Sequence, residues 1–152
     1  HGHLSKADPA QLERLESLFR AASLFVLPSL YEPFGLAPLE AMLYRVPCIV
    51  TDAWAFQETV LPGVNGDRVA KGDAEELADK MIHLLNNPDS LAAMGGRGRE
   101  LVLREHTWSA VARRIGGALT AIAGGHAQES PEPANTISVA NGEAAPAAES
   151  RN

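Results

Sequence analysis

A chain of 152 residues has room for one domain with one core. Its 45% apolar and 21% charged shares are ordinary for a soluble globular protein, and a formal net charge of −6 argues against a nucleic-acid partner, which calls for a basic patch. The single cysteine, Cys48, excludes an internal disulfide and a Cys-rich zinc site.

Asp8 followed by Pro9 predicts a helix start, with Asp8 as the N-cap and Pro9 at the first helical position. Leu12, Leu15, Leu18 and Phe19 continue it at helical spacing to about residue 22. Residues 24–27, Leu-Phe-Val-Leu, form a short apolar run that stops at Pro28 and reads as a buried parallel strand. A loop over residues 29–35 leads into a helix over residues 36–44, where Pro38 is tolerated because it lies in the first turn. Cys48-Ile49-Val50 reads as a second buried strand. A loop over 51–56, a short helix over 57–61, a stop at Pro62-Gly63 and a turn at Asn65-Gly66 follow. Arg68-Val69 reads as a brief third strand. Asp73 and Glu76 have the spacing of a capping box and open a helix to about residue 86. A further helix spans roughly residues 88–103. Thr107 caps a last helix, with Trp108, Val111, Ile115 and Leu119 on one face.

Strands alternating with helices predict an α/β domain built on a parallel sheet, here a partial one of two or three strands. From residue 124 the chain turns to Ala, Glu, Pro, Ser and Gly, with Ile137 and Val139 as the only branched aliphatics. Such a stretch cannot offset its ordering entropy. The expected organisation is therefore a domain over residues 1–123 and a disordered tail over 124–152. No apolar run has transmembrane length and no signal peptide is visible, so the expected setting is cytoplasmic, with peripheral membrane attachment left open for the full-length protein. The chain opens on His1 rather than Met, and an incomplete N-terminal side is expected.

Residues 28–42 carry the chemistry. Ligands of open α/β sheets sit at the carboxyl ends of the strands, which is where the loop after Pro28 lies. Gly35 lets a ligand approach the backbone, and the amides of Gly35, Leu36 and Ala37 are the unpaired donors of a helix start. The helix dipole favours an anion there, which makes a phosphate site in principle. Glu32 lies in the loop, and Glu40 lies roughly 6 Å of helical rise beyond Leu36. Both are acceptors suited to paired sugar hydroxyls.

Two glutamates separated by seven residues, set in Pro28-Ser29-x-x-Glu32-x-Phe34-Gly35-Leu36-x-x-x-Glu40-Ala41-Met42, resemble the signature of the family 4 retaining glycosyltransferases. The order of Gly2-His3-Leu4, the segment from Ala21 to Ser29, Glu58-x-Val60, the glycines after it and Gly72-Asp73 is similar to that family's as well. The resemblance covers residues 2–115. It implies the C-terminal, Rossmann-like half of a GT-B fold that binds a nucleoside-diphosphate sugar. It implies transfer of the glycosyl group to an acceptor hydroxyl with retention, the acceptor being a sugar, a lipid or a small molecule. It further implies that Glu32 acts at the donor sugar beside the transfer site, and that Phe34, Gly35 and Leu36 offer amides to the sugar and diphosphate. Glu40 would accept from the ribose, and Leu4 would lie near the nucleobase. No metal or other cofactor is implied, and an N-terminal partner domain is. The family's upstream Arg and Lys, which hold the diphosphate, have no counterpart in this chain.

Two departures stand out beside this pattern. Arg45 occupies a helix C-cap where the family has Gly, which suits a left-handed residue. Trp54-Ala55 replaces a Gly-Gly loop facing the donor phosphates and narrows or reshapes that pocket. Plainer readings are core packing for Phe34 and Trp108, a helix cap for Glu58, a structural place for His106, a solvated terminus for His1 and His3, and solvated faces for Arg97, Arg99, Arg104, Arg113 and Arg114. Alternative functions are a truncated non-catalytic binding module and a nucleotide-sugar epimerase-like domain.

Overall fold

The computed structural model describes Gly2 and residues 4–124. His1, His3 and the expected tail beyond residue 124 lie outside the described residues. The elements in chain order are α1 (Pro9–Ala21), β1 (Phe25–Leu27), α2 (Leu36–Leu43), β2 (Cys48–Thr51), α3 (Phe56–Thr59), β3 (Gly66–Val69), α4 (Ala74–Leu85), α5 (Pro88–Glu105) and α6 (Trp108–Ala123). The three strands are parallel and lie in the order β1-β2-β3, with Phe25 opposite Cys48 and Val50 opposite Arg68. The α/β class expected from the alternating pattern stands.

The chain divides into two units, His1–Gly116 and Gly117–Asn152. The first carries the sheet and every candidate residue. The described part of the second is the C-terminal half of α6, where Leu119 and Ile122 are exposed.

Within the first unit β2 is buried along its whole length. Its side chains alternate between two apolar clusters, as the two-residue period of a strand requires. Cys48 and Val50 join Ala41, Met42, Phe56 and Val102 on one side, while Ile49 joins Val69, Leu84, Leu91 and Met94 on the other. A strand covered on both faces reads as a continuous apolar run, which is why Cys48-Ile49-Val50 was visible.

Caps fall largely where the side chains direct them. Asp8 accepts from the amides of Ala10 and Gln11, and Thr107 Oγ1 accepts from Ala110. Asp73 accepts from the Glu76 amide, but Glu76 does not return the bond to residue 73; it accepts from Ala70 at 2.7 Å instead and pins the end of β3 to α4.

Three expectations need correction. The expected turn ends at Asn65 and Gly66 already opens β3; Asn65 is fully buried, and its side-chain amide accepts from Leu61 N and donates to the Thr59 carbonyl. Arg97 is no solvated residue: its guanidinium donates to the carbonyls of Val64 and Gly63 and holds that bend. Trp108 does not pack its helix. It is 89% exposed, because the buried position of α6 is Ala110 and the stripe of Trp108 and Ile115 faces another direction.

Candidate functional site

The loops that follow the three strands meet at the carboxyl edge of the sheet, the edge where open α/β sheets take their ligands. The first runs from Pro28 to Gly35. Thr51 Oγ1, buried at the end of β2, donates to the Ser29 carbonyl at 2.8 Å and ties that loop to the central strand. Gly35 is the N-cap of α2 and sits at φ 65°, in the left-handed region that favours glycine. A Cβ there would also lie 2.8 Å from the Phe56 ring, so the fully buried Phe56 supports the loop from below. Sequence reasoning missed Phe56, which stands at the end of the expected loop after Ala53-Trp54-Ala55 with no periodicity to mark it as core.

The Glu32 carboxylate lies against the start of α2. Its Oε1 accepts from the amides of Phe34 at 3.3 Å and Gly35 at 3.1 Å. The Gly35 amide, expected to be unpaired, is therefore satisfied by the loop's own carboxylate, which stands where an anionic group of a ligand is expected. Leu36 and Ala37 follow in the first turn of α2, and among the described residues neither amide has an acceptor. Phe34 is not core: its ring is 74% exposed, and Leu36 is 64% exposed. Both apolar side chains thus flank the loop in solvent.

Glu40, on α2, forms an ion pair with Lys6 across the groove between α1 and α2. Lys6 was not singled out in the sequence, and no spacing rule links it to a residue 34 positions away. The groove measures about 170 Å³, and Leu12, Leu15, Phe19 and Leu43 line it together with Glu16 and Tyr44. Leu4 is half-buried just ahead of Lys6. Glu58 is exposed, and no side chain caps α3.

Both departures from the resemblance have a structural counterpart. Arg45 has φ 62°, and the Arg45 and Val46 amides donate to the carbonyls of Met42 and Ala41. This is the paired bonding of a left-handed helix end, reached with Arg at a cost of about 1 kcal/mol over glycine. Trp54 has φ 55°, again left-handed. Its ring meets Tyr31 edge-on at 5.7 Å between centroids, and the Lys71 ammonium sits 5.4 Å from its centre. The loop carrying Trp54 is clamped. Asp52 N donates to Val69 O, Gln57 Nε2 to Asp52, and Arg68 Nη1 to Gln57 O. The Arg68 Nε faces the Asp52 carboxylate at 3.4 Å without hydrogen-bond geometry.

A sequence profile described as Glycosyl transferases group 1 matches residues 9–101, more than half of the chain. This chain belongs to the group 1 glycosyl transferases. Among its relatives is the alpha-maltose-1-phosphate synthase of Mycobacterium tuberculosis, 30% identical over 113 residues, covering 70% of this chain and 29% of that protein. A solved structure of sucrose-phosphate synthase from Thermosynechococcus elongatus superposes with a TM-score of 0.65 at 34% identity, over 74% of this chain and 28% of that one. The Anabaena protein HepE, solved in complex with UDP-glucose, shares the fold at a TM-score of 0.63 and 23% identity, over 74% of this chain and 35% of its own. The chain spans less than a third of the length of the curated relatives it matches. As a group 1 glycosyl transferase it has the partial Rossmann-like sheet of the GT-B proteins. Among the described residues no helix is long and apolar enough to cross a membrane.

Proposed function

We propose that residues 1–123 form the donor-binding domain of a retaining glycosyltransferase that takes a nucleoside-diphosphate sugar and passes its glycosyl group to an acceptor hydroxyl. The observation that carries this reading is the Glu32 carboxylate held by the Phe34 and Gly35 amides at the start of α2. Backbone amides that hold a carboxylate oxygen hold a phosphate oxygen by the same chemistry, and the helix dipole favours either. Family membership and a structural neighbour solved with UDP-glucose support the choice of ligand.

In this reading the donor diphosphate takes the amides of Phe34, Gly35 and Leu36, and Glu32 turns to the hydroxyls of the donor sugar beside the transfer site. Glu40, steadied by Lys6, accepts from the ribose hydroxyls, and Leu4 lies by the nucleobase. The bond from the anomeric carbon to the diphosphate oxygen breaks, and its electron pair leaves with the diphosphate. The acceptor oxygen forms the new bond on the same face, and its proton passes to the departing diphosphate. The start of α2 stabilises the charge that grows on the leaving group, an electrostatic effect of preorganised donors. No residue here is assigned to a metal, and the acceptor is read by a further domain.

Calorimetric titration of the chain with uridine, guanosine and adenosine diphosphates tests the reading. One of the three is expected to bind, and Glu40→Ala is expected to weaken it by about tenfold, the loss of a charge-assisted hydrogen bond. Failure of all three to bind, in this chain and in the whole protein, overturns the proposal. Transfer activity in the whole protein that survives both Glu32→Ala and Glu40→Ala overturns the residue roles.

A further inference from the structure

Trp54 combines three properties that core packing does not explain. It is a non-glycine residue in a left-handed conformation, its ring is only half-buried, and its ring partners Tyr31 and Lys71 are themselves exposed. Arg45, the other such residue among those described, has its conformation accounted for by the end of α2. The partners of Trp54 come from the other two loops of the same sheet edge. Tyr31 follows β1, Trp54 follows β2 and Lys71 follows β3. A large aromatic ring is thus held at the ligand edge of the sheet, with its loop clamped from β3. Tyr31 immediately precedes Glu32, so the ring pair and the carboxylate on the Phe34 and Gly35 amides belong to one loop. Strained backbone that outlasts folding collects at ligand sites, where the surrounding contacts over-determine it.

We infer that Trp54, braced by Tyr31 and Lys71, is a specificity-determining wall against which the carbon face of the donor's hexosyl group is seated. This inference rests on the donor-binding reading above. An indole face offers a broad apolar surface that matches the C–H face of a pyranose, while the hydroxyls at the sugar's rim stay free for Glu32. The loop's backbone stays on the side of the diphosphate, as the resemblance implies, while the indole ring that glycine would lack adds its surface to the sugar. The wall therefore separates a sugar nucleotide from the bare nucleotide.

Calorimetric titration of the chain with UDP and UDP-glucose, and with GDP and GDP-mannose, reads this directly in wild type, Trp54→Gly and Trp54→Phe. Glycine suits the left-handed φ, so Trp54→Gly keeps the fold, and an unchanged circular dichroism spectrum and urea midpoint check that it does. The expected result is that Trp54→Gly weakens the sugar nucleotide about fivefold relative to its own diphosphate, with diphosphate affinity held within about twofold. Trp54→Phe keeps the wild-type ratio. In a Trp108→Phe background Trp54 is the sole indole, and its emission changes with the sugar nucleotide and not with the diphosphate. A Trp54→Gly protein that binds diphosphate with the wild-type ratio overturns the wall and leaves the donor reading standing. Absence of binding by every diphosphate, in this chain and in the whole protein, overturns the donor reading, and the wall with it.

Discussion

Gly95 of α5 lies so close to Arg45 that a Cβ on the glycine would sit 2.0 Å from the Arg45 carbonyl oxygen. The left-handed turn that ends α2 is therefore pressed against a helix that can carry no side chain at that point. Gly95→Ala has no flexible atom to displace, only backbone. It is expected to destabilise the fold by about 3 kcal/mol, at the upper end of overpacking costs. Arg45→Gly relaxes φ without touching the contact and is expected to stabilise by about 1 kcal/mol. Urea midpoints of the two variants should move in opposite directions, and equal midpoints would remove the strain argument.

Asn65 joins two segments from a fully buried position. Its side chain accepts from the Leu61 amide at 2.7 Å and donates to the Thr59 carbonyl at 2.9 Å. Asn65→Ala leaves both backbone groups unpaired and is expected to cost about 2 to 4 kcal/mol. Chemical denaturation measures this. A loss below 1 kcal/mol, about the net value of one ordinary hydrogen bond, would mean that water replaces the side chain.

Gly35→Ala tests the loop support. The added methyl must enter a left-handed backbone position and push the Phe56 ring aside. The expected cost is about 1 to 2 kcal/mol in stability, with a larger proportional loss of nucleotide affinity because the Gly35 amide shifts. Calorimetry on folded variant protein separates the two effects. Nucleotide affinity equal to wild type would take Gly35 out of the site.

Burial pushes the Cys48 thiol from 9.0 up to about 12. The folded state keeps its proton while the unfolded state loses it, so this contribution to stability is fully present below pH 9.0 and is lost as the pH rises toward about 12. The fall in stability across that window should be smaller in Cys48→Ala. Iodoacetamide should leave native Cys48 unmodified at pH 8 and alkylate it in urea. Burial, then Arg114, lowers the His106 pKa against the opposing pull of Glu105. The neutral ring is favoured in the fold, so its contribution is present above about pH 6.5 and declines as the pH falls below that value. Replacing His106 with Gln should flatten the stability profile on that acidic side.

The parts of this fold legible in the sequence are those written in local pattern. Asp8-Pro9 with the helical spacing of Leu12, Leu15 and Phe19, the run from Cys48, and the Asp73 cap of α4 each encode one element from neighbours in sequence. The motif around Glu32 and Glu40 lay on a strand–loop–helix unit for the same reason. Relationships set by tertiary approach were not legible. The Lys6–Glu40 pair, the Phe56 support beneath Gly35 and the Arg97 clamp on Val64 join residues that no periodicity connects. Asn65-Gly66 was half legible: Asn65 ends a turn, as the dipeptide signals, while the bonds of its buried side chain hand the chain directly to β3 at Gly66. Trp108 misled because an apolar helical stripe reads the same whether its partner surface is inside or outside the described unit.

Glu32 gives the site an occupant of its own. In the donor-binding reading proposed above, an arriving phosphate finds the Leu36 and Ala37 amides free but must evict a tethered carboxylate to take those of Phe34 and Gly35, so recognition there is an exchange of one anion for another. The tethered group has a high local concentration because only one residue separates it from Phe34. A free inorganic anion must compete against that tether with a single contact. A nucleotide brings further contacts along α2 and the neighbouring loops. On that reading the loop favours a ligand long enough to hold on elsewhere over a small anion, and the displaced Glu32 carboxylate becomes free to meet the sugar that the same ligand carries.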